Sequence, residues 1–153
     1  MTTLPITLTI AGACALISIW LGLRVSHLRR THKVSIGDAG NPAVITRMRA
    51  HANFAEYTPL FLILLGLIEA SEGSQTWLWI VAILFVLARL AHPFGMDRPA
   101  PNAFRMGSVG VTWLVLLGLG AYAITIPYME RREAPSIQYA QTSLSFSGGT
   151  KLS

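Results

Sequence analysis

A run of twenty residues without a charged side chain, residues 4–23, restricts the fold of this chain more than any other feature. At 1.5 Å per residue, a helix of this length spans about 30 Å, the thickness of the hydrocarbon core of a bilayer. Residues 109–126 form a second charge-free run. Only 12% of all residues are charged, whereas soluble domains carry about a quarter. The sequence therefore predicts an integral membrane protein.

Two shorter apolar segments lie between these runs. Residues 57–68 and 77–88 each hold twelve uncharged residues and reach spanning length only by including polar residues at one end. The fold predicted is an all-α bundle of four transmembrane helices in one domain, residues 1–128. The spans are about 4–23, 50–70, 76–96 and 107–127. Residues 129–153 are rich in Ser, Thr, Gln and Gly, which predicts a polar, flexible tail.

The charged residues are distributed unevenly between the connections. Six basic residues fall within 24–49, against the single acid Asp38, and two arginines fall within 97–105. The connection at 69–76 has two acids and no base. This alternation follows the positive-inside rule and is not a basic surface for nucleic acid. It predicts that loops 24–49 and 97–105 are cytoplasmic and that both termini lie outside. The short loops favour a bacterial inner membrane.

Polar residues occupy the start of the second helix, which lies in the half of the membrane next to the basic loops. Arg49, Asn53 and Glu56 follow the spacing i, i+4, i+7 and share one helical face. A cation, an amide and an anion on one stripe suit a zwitterionic ligand. Ionisable groups at this depth are costly and usually mark function. An alternative is a structural ion pair between Glu56 and Arg89 of the third helix.

At these residues the sequence resembles a known family, the membrane-associated proteins in eicosanoid and glutathione metabolism (MAPEG), over roughly residues 5–126. The family signature has an arginine, an asparagine four residues on, a glutamate seven residues on, and Pro-Leu shortly after. The matching residues are Arg49, Asn53, Glu56 and Pro59-Leu60. The order of Arg89, His92 and a later Arg105 also follows the family, whereas Met96 stands where family enzymes often have a tyrosine.

The resemblance implies a homotrimer that holds glutathione, as co-substrate, between neighbouring subunits near the cytoplasmic face. It implies glutathione contacts from four residues of the second helix: Arg49, Asn53, Glu56 and Tyr57. His92 would line the same cleft, and Arg105 would activate the thiol. The function implied is a membrane-bound glutathione transferase or peroxidase. Its second substrate would be an apolar electrophile or lipid hydroperoxide that enters from the membrane lipids.

Three other functions are compatible with the same residues. The first is a non-enzymatic, lipid-binding member of the family. The second is a small multidrug exporter that uses Glu56 as a membrane-embedded carboxylate. The third is a bis-histidine haem protein that uses His51 and His92. Because Cys14 is the only cysteine, neither an intrachain disulfide nor a CxxC metal site is possible, and no metal site is predicted.

Overall fold

The protein is described by a computed structural model over residues 3–148, with side chains over residues 3–129. Its four helices in chain order are α1 (Pro5–Thr31), α2 (Pro42–Glu72), α3 (Thr76–Met96) and α4 (Ala103–Gly148). All four are long and apolar enough to cross a membrane, α4 over the stretch Ala103–Met129. The prediction of an all-helical fold with four long apolar helices is confirmed.

The helices are longer than the predicted spans. The first predicted span stops at residue 23, but α1 continues to Thr31. The backbone of α4 is helical through Gly148, so it includes most of the predicted tail. Hydropathy identifies only the part of a helix that suits lipid, while the helical hydrogen bonds continue through polar residues. Side chains beyond residue 129 lie outside the described part of the chain.

The helices pack as two main pairs. Helix α1 packs mainly along α2 and α3 mainly along α4, while α2 also contacts α3 and α4, and α1 also contacts α3. The buried face of α1 repeats every three or four residues, through Ile6, Ile10, Cys14, Ile17, Leu21 and Val25. At the centre, the Phe61 and Phe85 rings stack with centroids 3.7 Å apart.

At one end of the bundle, which we call the acidic end, Glu69 of α2 caps the start of α1. Its carboxylate accepts hydrogen bonds from the backbone N–H groups of Ile6 at 2.9 Å and Thr7 at 2.8 Å. The hydroxyls of Thr7 and Ser74 donate to it as well, both at 2.7 Å. Glu69 is only 1% exposed. An anion there satisfies N–H groups that have no partner within the helix.

At the other end, which we call the basic end, Asp97 joins three helices. It follows the last residue of α3 and forms ion pairs with Arg24 of α1 and Arg47 of α2. The Arg47 Nε atom lies 2.7 Å from Asp97 Oδ1. The Arg24 guanidinium also lies 4.9 Å from the centre of the Trp20 ring. We call these two ion pairs the Asp97 clasp. They hold α1, α2 and the end of α3 together beside the polar residues of the predicted site.

Candidate functional site

The predicted stripe on α2 lies at the edge between the bundle interior and its exterior. A helix turns about 100° per residue, so Asn53 lies about 40° and Tyr57 about 80° to one side of Arg49. Glu56 lies about 20° to the other side. Asn53 and Tyr57 are accordingly half-buried, whereas Arg49 and Glu56 are exposed. The stripe therefore presents two polar residues inward and two charged residues outward.

Arg89 of α3 connects the inward residues to α4. It is 2% exposed. Its Nη1 donates to Asn53 Oδ1 at 2.9 Å and its Nη2 to the Ser108 carbonyl at 3.1 Å. Its guanidinium carbon lies 5.7 Å from the centre of the Tyr57 ring. Since Asn53 Oδ1 is occupied, the Asn53 Nδ2 group is left to donate to a ligand.

The alternative ion pair between Glu56 and Arg89 is not formed. Glu56 is exposed on α2, while Arg89 is buried between α2 and α4. Within residues 3–129, the only ion pairs are the two that Asp97 forms with Arg24 and Arg47. The structure of the single protomer therefore does not support this alternative, because the rotation of α2 turns Glu56 away from α3.

His92 lies one turn after Arg89 and also contacts α4. Its Nδ1 is 3.0 Å from Ser108 Oγ, and that hydroxyl donates at 3.0 Å to the carbonyl oxygen of Arg105. A serine hydroxyl has one proton, so the proton between His92 and Ser108 comes from His92 Nδ1. His92 is 5% exposed, so it contacts α4 from inside the protomer and does not form an open surface.

Arg105 lies in the first turn of α4 with its side chain exposed. The Asn102 side chain accepts the Arg105 backbone N–H at 2.9 Å and donates to the Gly95 carbonyl at 2.8 Å. A Cβ atom on Gly95 would lie 2.5 Å from the Arg105 backbone nitrogen, so only glycine permits this approach of α3 and α4. The main chain of Arg105 is thus fixed against α3.

A shallow cavity of about 510 Å³ lies along α4 beside Arg105. Its walls include Arg105, Met106 and Trp113. Trp113 Nε1 donates to the Tyr57 hydroxyl at 3.0 Å. This hydrogen bond connects the Trp113 wall of the cavity to the inward side of α2. The cavity therefore places a cation beside apolar and aromatic surface.

The six predicted site residues form two groups at the basic end. The inner polar layer consists of Asn53, Tyr57, Arg89, His92 and Ser108, which are joined by direct contacts. The outer charged group consists of Arg49, Glu56 and Arg105, all exposed on the protomer. The inner layer holds a fixed cation and no carboxylate, so it suits acceptor groups of a ligand. The outer group offers two cations and one anion.

The two histidines of the haem alternative have different neighbours. The nearest heavy atom to a Cβ built on Gly22 of α1 would be His51 Cε1, at 3.8 Å, and His51 lines a cavity between α1 and α2. His92 instead contacts Ser108 of α4. The two rings therefore contact opposite helix pairs, and their arrangement gives the haem alternative no support.

Sequence reasoning missed three functional candidates: the bridging role of Arg89, the hydroxyl of Ser108 and the indole of Trp113. Ser108 and Thr112 are polar residues four apart in the apolar part of α4 that follows Arg105, a spacing that places both on one face. Both are buried, and Thr112 Oγ1 donates to the Ser108 carbonyl at 2.8 Å. That spacing is the signal that could have identified Ser108.

Comparison with known proteins agrees with the resemblance carried by the α2 motif. The model of the MAPEG family matches residues 7–125. Two similar proteins are the inner membrane protein YecN of Escherichia coli strain K12 and its counterpart in Escherichia coli O6:H1. Each is 30% identical over 104 residues, which covers 67% of this chain and 78% of the relative. The family prediction is confirmed.

Proposed function

Because the chain belongs to the MAPEG family, we propose that it is a membrane-bound, glutathione-dependent transferase or peroxidase. One observation carries the proposal. Asn53, Tyr57 and His92 share one polar layer around the buried Arg89. The outer charged group lies at the same end of the bundle. Glutathione has two carboxylates, an ammonium and two amides, and these side chains offer a partner for a carboxylate, the ammonium and an amide.

Each polar side chain has a chemical partner on the tripeptide. Arg49 binds a carboxylate and Glu56 binds the ammonium, both through charge-assisted hydrogen bonds. Asn53 donates through Nδ2 to an amide carbonyl, since its oxygen is occupied by Arg89. Tyr57 contacts the peptide through the ring and hydroxyl that Trp113 orients. His92 supports the site from within the inner polar layer.

Arg105 stabilises the glutathione thiolate. A free thiol of this type has a pKa near ~8.5, so only a few per cent is thiolate at pH 7. A fixed guanidinium beside the sulfur favours the charged form, and lowering the thiol pKa by about two units requires ~2.7 kcal/mol of differential stabilisation. Arginine suits this role because it remains protonated when water is excluded.

The thiolate attacks an apolar second substrate that enters from the bilayer. In transfer, an S–C bond forms and the leaving group departs with its bonding electrons. With a lipid hydroperoxide, sulfur attacks the terminal oxygen, the O–O bond breaks and the alkoxide leaves and is protonated. A second glutathione then converts the sulfenic acid to the disulfide and water. The cavity beside Arg105 and Trp113 supports this route, because it adjoins exposed apolar surface of α4.

The outer charged group supports a homotrimer with glutathione held between subunits. Glu56 is exposed on α2, a helix long and apolar enough to cross a membrane, and within residues 3–129 it forms no ion pair. Arg49 and Arg105 are exposed at the edge of the same end, where the spans meet the basic loops. Charged side chains facing lipid are costly. A neighbouring subunit with glutathione at the interface would cover them and supply their partners.

We also propose that the protein lies in a bacterial inner membrane, with loops 24–49 and 97–105 cytoplasmic. The charge distribution supports the orientation. The printed name of the relatives, an inner membrane protein, supports the compartment.

A second candidate function is non-enzymatic lipid binding. A nearly apolar groove of about 530 Å³ runs between α3 and α4 toward the acidic end, lined by residues that include Trp77, Leu114 and Tyr122. A groove of this composition fits an acyl chain. Lipid binding without any glutathione affinity would favour this candidate.

Calorimetric titration of the detergent-purified protein with glutathione tests the main proposal. The expected result is saturable binding together with conjugation of an apolar aryl chloride. Glu56→Gln should weaken glutathione binding at least tenfold, because the ammonium loses its anionic partner. The matched control is Glu72→Gln at the acidic end, which should bind glutathione normally. Absence of binding heat and of conjugation in the wild type would overturn the proposal.

A further inference from the structure

The main chain of Arg105 is held more firmly than its side chain. Its N–H is accepted by Asn102 Oδ1 at 2.9 Å, and its carbonyl receives the Ser108 hydroxyl at 3.0 Å. Gly95 approaches so closely that a Cβ there would lie 2.9 Å from the Arg105 Cα atom. The Arg105 side chain, in contrast, is exposed. The position of its guanidinium therefore depends on where the backbone anchors place the Cα atom.

Ser108 is itself fixed from α3. It is 5% exposed. Its hydroxyl receives the Nδ1 proton of His92, and its carbonyl receives Arg89 Nη2 and the Thr112 hydroxyl. A serine that bonds back to the preceding turn is common in helices and usually has no wider role. Here His92 of α3 orients the Ser108 hydroxyl. The bond from that hydroxyl to the Arg105 carbonyl therefore makes the position of Arg105 depend on the position of α3.

Asn102 provides the matching anchor on the other side of the same residue. Its amide donates to the Gly95 carbonyl at 2.8 Å, while its oxygen accepts from Arg105. Asparagine is among the preferred residues at the start of a helix because its oxygen satisfies such an N–H. The link to Gly95 goes beyond capping, since it ties the beginning of α4 to the end of α3.

We propose that Ser108 and Asn102 are positioning residues that fix the Arg105 guanidinium at the distance from the glutathione sulfur needed to stabilise the thiolate. The inference rests on the proposed function. Neither residue contacts the sulfur; both act through the Arg105 main chain. The electrostatic interaction falls with distance. A displacement of Arg105 by one or two ångströms therefore raises the pKa of the bound thiol by roughly one unit, a tenfold change in its acid dissociation constant.

The test is a pH titration of the ultraviolet thiolate absorbance of glutathione bound to each variant. Ser108→Ala and Asn102→Ala should each raise the pKa of the bound thiol by about one unit. Affinity for S-methylglutathione, which has no thiol to ionise, should stay within twofold of the wild type. Ser108→Thr, which keeps the hydroxyl, and Asn102→Ser, which keeps a side-chain oxygen able to accept the Arg105 N–H, should restore the lower pKa.

Thr125→Ala is the matched control. The Thr125 hydroxyl makes the same type of bond, to the Tyr122 carbonyl at 2.7 Å, but far along α4 from Arg105. It should leave the thiol pKa unchanged, whereas Arg105→Ala should raise it to the value of free glutathione. A wild-type thiol pKa in both alanine variants would overturn the inference and leave the proposed function intact. Absence of both glutathione binding and a thiolate signal in the wild type would overturn the proposed function together with the inference. If one alanine variant fails to fold, the thiol pKa measured in the other variant still tests the inference.

Discussion

Arg89 shows how a charge is accommodated inside this bundle. It is buried and donates to Asn53 and to the Ser108 carbonyl, and within residues 3–129 no carboxylate forms an ion pair with it. A buried cation without a counter-ion is costly and persists only where acceptors satisfy it. Its Nε atom has no partner within those residues. We interpret Arg89 as the fixed centre around which the ligand-binding side chains are arranged.

Arg105→Ala should reduce turnover much more than glutathione binding. If Arg105 lowers the thiol pKa by about two units, its loss decreases the thiolate fraction at pH 7 roughly 20-fold. Steady-state kinetics with an aryl chloride would show a fall in kcat of that size or more, with a change of less than threefold in the Kd for S-methylglutathione. Arg105→Lys is the control and should retain part of the rate. An unchanged kcat in Arg105→Ala would remove this residue from the mechanism.

The sequence predicts most residues of the candidate site, but not their division into the inner polar layer and the outer charged group. The spacing of Arg49, Asn53 and Glu56 places them on one helical face wherever the helix lies. It does not specify how far the helix is rotated about its axis. The rotation decides that Asn53 faces Arg89 while Glu56 faces outward. Ser108 was missed because its spacing from Thr112 shows only that the two residues share one helical face, whereas the hydrogen bonds that give it a role come from α3.

At the scale of helices, the ends carry more specific chemistry than the spans. Helix α1 begins at a buried carboxylate from α2, and α4 begins at an asparagine that bonds back to α3. Charge-free runs predict where helices cross a membrane because lipid excludes charge. They do not predict where helices end, since side chains from other helices satisfy the terminal N–H groups. The carboxyl end is equally hidden from hydropathy: α1 extends to Thr31 because helical hydrogen bonds continue through polar residues.

Glu69→Ala should destabilise the bundle by about 2–3 kcal/mol, because it removes a charged acceptor from two backbone N–H groups at the start of α1. In a chain of this size, that loss corresponds to a decrease in Tm of about 5–10 °C. Thermal unfolding in detergent, followed by circular dichroism, measures it. Thr7→Val removes only one hydroxyl donor to Glu69 and should cost about 1 kcal/mol. Equal Tm values for Glu69→Ala and the wild type would contradict the cap.

In the whole molecule, the acidic end and the basic end of the bundle are held by different contacts. The acidic end is closed by Glu69 and by the Tyr122 hydroxyl, which donates at 2.6 Å to Glu72. The basic end carries the Asp97 clasp, the inner polar layer and the outer charged group. The exposed charges of the candidate site therefore lie at the basic end.

The proposed orientation can be tested with single cysteines in a Cys14→Ser background. Ser35 and Gln75 are exposed and lie in connections at opposite ends. A membrane-impermeant maleimide added to intact spheroplasts should label Gln75→Cys and not Ser35→Cys, because the proposed orientation places the basic loops in the cytoplasm. Both variants should react after the membrane is permeabilised. Labelling of Ser35→Cys in intact spheroplasts would reverse the orientation.

The central claim is that this bundle binds glutathione and ionises its thiol. The most direct test is the ultraviolet difference spectrum of the detergent-purified protein as glutathione is added at neutral pH. We expect a saturable thiolate absorbance that approaches one thiolate per bound glutathione and is lost in Arg105→Ala. Binding without thiolate absorbance would contradict the assigned role of Arg105, and absence of any binding would contradict the glutathione function itself.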